Sequence, residues 1–165
     1  MTIKRIILSF IILISSLSAI AGGIGTWKSY LSYANIQWVE QGGNRLYVLA
    51  SNALYTYNKA DQSIQTYDKQ NGLSSIDIRF IGWNEVAKRL VIVYEDNNID
   101  LMDAKGNVTN VPDYYLKALT SDKTIYSIDM NGAYCYLSTG FGLVKLNVAK
   151  AEISDSYNLS FPVNY

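Results

Sequence analysis

Two apolar runs about a short polar break appear three times in this sequence. The first copy is Arg45–Asn58, the second Arg89–Asp103 and the third Tyr134–Asn147. Arg45, Arg89 and Tyr134 open corresponding runs, 44 and then 45 residues apart. Leu54, Ile99 and Leu143 open the corresponding second runs. A self-similar period of about 40–45 residues with several strands per unit is the signature of propeller blades. The first runs are continuously apolar, so both faces of those strands are buried. In a propeller the two faces pack on neighbouring blades, which accounts for the pattern. The fold class expected is all-β, with blades of four antiparallel strands.

The blades are placed at about 36–73, 78–119 and 124–160. In the first, Ile36–Glu40 is the inner strand and Gly42-Gly43-Asn44 a turn, because glycine and asparagine tolerate positive φ. Leu46–Ala50, Leu54–Tyr57 and Ser63–Tyr67 follow, the last being the polar outer strand. The second opens with Ile78–Trp83, turns at Asn84–Lys88, and ends with Val108–Val111 before Pro112. Trp38 and Trp83 lie 45 residues apart, which predicts the same place in successive blades. Tyr114–Leu119 is a linker able to form a helical turn, and Thr124–Met130 opens the third blade. Phe161–Tyr165 reads as the start of a fourth. Three blades do not make a ring of four to eight, so the sequence reads as an incomplete ring, either the N-terminal piece of a longer protein or a truncated reading frame.

Residues 1–21 read as a secretory signal. Lys4 and Arg5 precede an apolar stretch from Ile6 to Leu17, and Ala19-Ile20-Ala21 fits a small-x-small cleavage site. Residues 22–165 are then a partial N-terminal propeller, exported to the periplasm or the outer-membrane surface. The early strand Trp27–Leu31 belongs to no complete blade and is placed as the strand that closes the ring.

Composition narrows the chemistry. Basic and acidic residues balance at 14 each, so no basic surface is available to neutralise phosphates, and nucleic acid is not an expected partner. Histidine is absent, which removes the commonest general base and metal ligand. No catalytic, cofactor-binding or metal-binding residue is assigned, and an enzyme is not expected. Cys135 lies in an apolar run and reads as a small buried hydrophobe. Asp96, Asp100 and Asp103 lack the spacing of a calcium loop and read as turn residues. Gly140-Phe141-Gly142 precedes a strand, not a helix, so it is a turn and not a phosphate loop. Trp27, Trp38, Trp83 and the 14 tyrosines are either a sugar-stacking platform or inter-blade packing, and packing is the simpler reading. Asn107-Val108-Thr109 and Asn158-Leu159-Ser160 match the glycosylation acceptor pattern.

Two resemblances carry the functional expectation. Asn71-Gly72-Leu73-Ser74, followed by the strands up to Asp103, resembles the repeats of two-component regulator propellers in hybrid sensor kinases. Leu90-Val91-Ile92-Val93-Tyr94 departs from the Leu-Trp-Ile-Gly-Thr of that family. This resemblance implies a glycan-sensing extracellular propeller. The second resemblance spans nearly all of residues 22–165. Gly25-Thr26-Trp27-Lys28, Tyr47–Asn52, Gln65–Lys69, Leu90–Tyr94, Asn98–Leu101, Tyr136–Gly142 and Ala151–Asp155 are similar to the N-terminal propeller of PorZ proteins. It implies a component of the type IX secretion system of Bacteroidetes, on the outer-membrane surface with the sortase-like PorU and with PorV and PorQ. It further implies a role in joining cargo to anionic lipopolysaccharide, through a C-terminal domain that lies outside this sequence.

Overall fold

The computed structural model describes residues 32–158. The expected signal (1–21), the closing strand Trp27–Leu31 and the fourth-blade start Phe161–Tyr165 lie outside the described residues. Within them are three four-stranded antiparallel sheets. The first is β1 (Ile36–Gly42), β2 (Arg45–Ala50), β3 (Ala53–Asn58) and β4 (Ile64–Tyr67). The second is β5 (Ile78–Asn84), β6 (Arg89–Tyr94), β7 (Ile99–Asp103) and β8 (Val108–Asn110). The third is β9 (Ile125–Asn131), β10 (Tyr134–Thr139), β11 (Gly142–Asn147) and β12 (Glu152–Asn158). In each sheet the strand order follows the chain, as up-and-down blades require, and the three blades do not close into a ring. A four-residue helix, α1 (Asp113–Leu116), occupies the start of the predicted linker turn between blades two and three. Among the described residues no helix is long and apolar enough to cross a membrane.

The turns explain the hairpins. Ser51 and Asn52 both take positive φ, at 49° and 61°, the geometry of a two-residue turn whose twist matches its flanking strands. Gly43 at 58° and Gly132 at 60° do the same between the first and second strands of blades one and three. Blade two instead uses four residues there, Glu85 to Lys88, with the Ala87 amide donating to the Asn84 side-chain carbonyl at 2.8 Å.

That longer hairpin overturns the equivalence of Trp38 and Trp83. In the strand registers, Trp38 pairs with Leu49, whereas Trp83 pairs with Leu90. Counted from Arg45 and Arg89, Leu49 corresponds to Val93, whose partner is Phe80. Trp38 therefore matches Phe80, and Trp83 matches Gln41, the partner of Leu46. Even spacing concealed a two-residue insertion.

The core lies between blades. Val91 and Val93 of β6, with Ile99 and Leu101 of β7, join Cys135, Leu137, Val144 and Leu146 of blade three. Leu90, Ile92 and Tyr94 of the same β6 join Tyr47, Leu49 and Leu54 of blade one. Successive side chains of a strand point to opposite faces, so β6 feeds two separate clusters. Every residue from Leu90 to Tyr94 is fully buried. Each such aliphatic side chain contributes about 1.5–3 kcal/mol by burial, which is why the predicted continuous apolar run is needed there. The outward side of blade one keeps Ile36, Val39 and Ile64 exposed.

Candidate functional site

The innermost strands β1, β5 and β9 lie side by side, each the first strand of its blade. Aligned through their hairpins, Glu40, Gly82 and Asp129 occupy one register position, opposite Tyr47, Val91 and Tyr136 respectively. Gly82 gives room to blade three: a Cβ there would lie 2.6 Å from Met130 Cε and 3.0 Å from Ile128 Cδ1, so the ends of those two side chains would have to shift. The side chains of β9 that face Gly82 are Ile128 and Met130, so Asp129 between them projects from the other face of its strand. Around Gly82 opens a cleft of about 570 Å³, lined by Trp38, Glu40, Arg79, Phe80, Trp83 and Asp129 among others.

Trp38 is 57% exposed, yet its indole N–H donates to Glu40 Oε1 at 2.7 Å. Trp83 rests on blade one: its ring stacks on Tyr47 at 5.3 Å between centroids, with 18° between planes. A Cβ on Gly42 would come within 2.6 Å of the Trp83 ring, so glycine at that hairpin lets the indole in. The Trp83 N–H of the ring donates to Glu85 at 2.7 Å. Arg79 pairs with Glu95 at 3.4 Å and lies 5.5 Å from the centroid of the Phe80 ring. The cleft therefore combines fixed aromatic rings, two carboxylates and an arginine already paired. It offers hydrogen-bond acceptors and ring faces, the equipment of a binding surface.

The other candidates fall into place around it. Cys135 is fully buried among the blade-three aliphatics. Burial, with a smaller contribution from Asp129, pushes its thiol up to about 12. A thiolate is the reactive form, so the native thiol stays inert to alkylation at pH 8. The sign of the linkage is clear. The folded chain holds this proton while the unfolded chain releases it, so stability is full below about pH 9 and is lost progressively between about pH 9 and 12. Burial raises the Tyr94 hydroxyl in the same direction. Denaturant titrations at pH 8, 9 and 10 are expected to show falling stability, with a shallower fall in Cys135→Ala.

Asp103 is a turn residue, as predicted. Burial opposes its ionisation, but hydrogen bonds from the Asn107 side chain and the backbone of Lys105 to Asn107 outweigh it and lower its carboxyl. Asp96 accepts from the Asn98 amide at 2.9 Å and from the Ser75 hydroxyl at 2.5 Å. Asp100 departs from the turn reading. It is fully buried on β7 and accepts three hydrogen bonds: from Tyr94 Oη at 2.6 Å, from the Ser74 amide at 2.8 Å and from Asn110 Nδ2 at 2.8 Å. The Ser74 bond ties the connection from blade one onto blade two. Phe141, in the Gly140–Gly142 turn, stacks near Tyr114 of α1 at 6.4 Å between centroids. Trp27 lies outside the described residues. Among those residues, no three potential metal-ligating side chains gather.

Glu40, Arg79 and Asp129 escaped the sequence reading. The signal was present: carrying the repeat back through each hairpin, with its differing length, puts Glu40 and Asp129 in the same position.

A family model described as the N-terminal β-propeller domain of PorZ, of the type IX secretion system, matches residues 46–165. Among solved structures, PorZ of Porphyromonas gingivalis superposes with a TM-score of 0.74 at 33% identity, over 81% of this chain and 18% of that one. It is described as an essential bacterial surface component of the type IX secretion system. The extracellular domain of a putative one-component system of B. thetaiotaomicron gives 0.59 at 14% identity, over 81% and 18% of the two chains. AztD from Citrobacter koseri gives 0.59 at 14%, over 79% and 35%. These last two share the fold alone. No curated protein sequence matches. The chain spans about a fifth of the length of the solved PorZ. With most of its length matched by the family model and a third of its aligned residues identical to a solved member, the chain belongs to the PorZ family, within the N-terminal β-propeller.

Proposed function

We propose that this chain is a non-enzymatic scaffold within the attachment complex of a type IX secretion system. It works at the outer-membrane surface, after export by the signal at residues 1–21. Its partners are the sortase-like PorU and the proteins PorV and PorQ, and the complex it supports processes cargo and joins it to anionic lipopolysaccharide. One observation carries the reading: 33% identity to PorZ over 81% of the chain, against 14% to 17% for the extracellular propellers of putative regulatory systems. The cleft fits a scaffold as well, since it offers a surface for contact and not a nucleophile beside a base.

The test is precipitation of the native protein with an antibody to residues 22–165. Co-recovery of a sortase-like protease and outer-membrane β-barrels is the expected result. Recovery of a covalently continuous kinase domain would make the protein a sensor and overturn the proposal.

A further inference from the structure

We propose that blade three meets the blade expected to follow it, whose start is read at Phe161–Tyr165, through a hydrated, charge-bearing joint, unlike the two closed seams before it. The inference goes beyond the scaffold reading and is tested apart from it.

Strand alternation fixes which side chains face that joint. Cys135, Leu137, Val144 and Leu146 pack toward blade two. Tyr136 and Ser138 of β10, with Leu143 and Lys145 of β11, therefore look the other way. Asp155 and Tyr157 pair with Lys145 and Leu143 on the neighbouring strand and share their face. Asp129 joins them, since Ile128 and Met130 on either side of it are turned to blade two.

The registers give the same positions in the earlier blades. Ser138 corresponds to Leu49 and Val93, counted from Tyr134, Arg45 and Arg89. Lys145, the partner of Tyr136, corresponds to Thr56 and Leu101, the partners of Tyr47 and Val91. All four earlier residues are buried, Leu49 against blade two and Val93 and Leu101 against blade three. Blade three places a hydroxyl and an ammonium there, and Asp129 and Asp155 add two carboxylates. The difference is one of residue type and holds whatever lies against the face.

Lysine and aspartate are almost never fully buried unless paired, and an ionised group taken out of water alone is costly. Lys145 stands over two rings of its own blade, 4.0 Å from the Tyr134 centroid and 6.0 Å from that of Tyr136. A sheet laid on this face keeps water at these charges, as contacts between domains do. Tyr136, Leu143 and Tyr157 still offer ring and aliphatic contact, which fits the face to a neighbouring sheet. After β4, and again after β8, the chain returns to lay the next blade on the corresponding face. The occupant is therefore the next blade of the same chain.

The experiment uses the intact protein purified from its native host, with cysteine placed at the corresponding positions in turn: Leu49→Cys, Val93→Cys and Ser138→Cys. Cooperative thermal unfolding of each variant is checked first. Native Cys135, buried in the seam of blades two and three, is the reference should either of the first two fail to fold. Alkylation by iodoacetamide at pH 8 is followed by peptide mass mapping, native against unfolded. Ser138→Cys is expected to react within about tenfold of its unfolded rate. The buried thiols should be slowed about a thousandfold or more, since they react only when the structure opens. Ser138→Cys is then labelled with a maleimide-benzophenone and irradiated, and capture of a segment of the same chain beyond residue 165 is expected. Protection of Ser138→Cys equal to that of the buried thiols would show a closed seam and overturn the proposal. Capture of another protein, or of no segment beyond residue 165, would overturn it too, by removing the following blade from this face. None of these outcomes bears on which complex the protein joins.

Discussion

Ile92→Asp is expected to abolish folding. Ile92 is fully buried in the seam between blades one and two. On the neighbouring strand it pairs directly with Asp100, and directly paired residues share a face of the sheet. The substitution therefore places two carboxylates side by side where both positions are fully buried. Lost aliphatic burial costs about 1.5–3 kcal/mol, an unpartnered buried polar group about as much again or more, and like charges opposite each other add to both. Together these are comparable to the whole stability of an ordinary domain, about 5–15 kcal/mol. Circular dichroism and limited proteolysis decide the matter. A soluble, protease-resistant Ile92→Asp chain would refute the seam. Ile92→Val is the control, costing only about 0.5–1.5 kcal/mol.

Asp100→Ala has the second largest expected effect. The Tyr94 hydroxyl, the Ser74 amide and the Asn110 amide all donate to this one carboxylate. Removing it leaves three donors facing a small apolar gap. Hydrogen bonds to a charged group contribute about 1.5–3 kcal/mol each, and their losses are not additive, so a total of about 3–5 kcal/mol is expected. The denaturation midpoint measures it. Asp100→Asn should fall between the two, since one amide oxygen still accepts while the new N–H₂ meets a donor. Amide exchange at Ser74 should rise in Asp100→Ala before global unfolding, because that bond holds the inter-blade connection. A midpoint equal to that of the native chain would show that the carboxylate ties nothing together. Pairing Asp100→Ala with Tyr94→Phe in a double-mutant cycle isolates the hydroxyl's share.

The blades were legible because their chemistry is local. A run such as Leu90–Tyr94 without a polar residue admits few placements, and the turn residues Asn84–Lys88 mark where it begins. Two things were hidden by the same cause, partners distant in sequence. Asp100 looked like its turn neighbours Asp96 and Asp103, but its Ser74 partner is 26 residues away. The cleft was hidden because the hairpin of blade two is longer than its counterparts, so equal spacing gave a false match between Trp38 and Trp83. The correct register joins Trp38 to Phe80, and Glu40 to Asp129. The burial of Cys135 was readable, since the residue lies inside an apolar run.

The division of β6 between two clusters has an evolutionary consequence. Val91 and Val93 meet blade three, while Leu90 and Ile92 meet blade one. A change at one set can be compensated by a change in a single neighbour, without disturbing the other side. Each seam is thus a separate account of co-variation, and the two can drift at different rates. A duplicated blade needs only to match the faces on either side of its insertion point. Relatives should therefore show correlated substitutions between adjacent blades and independence between blades one and three, a pattern in which the repeats diverge in sequence while the joints between them persist.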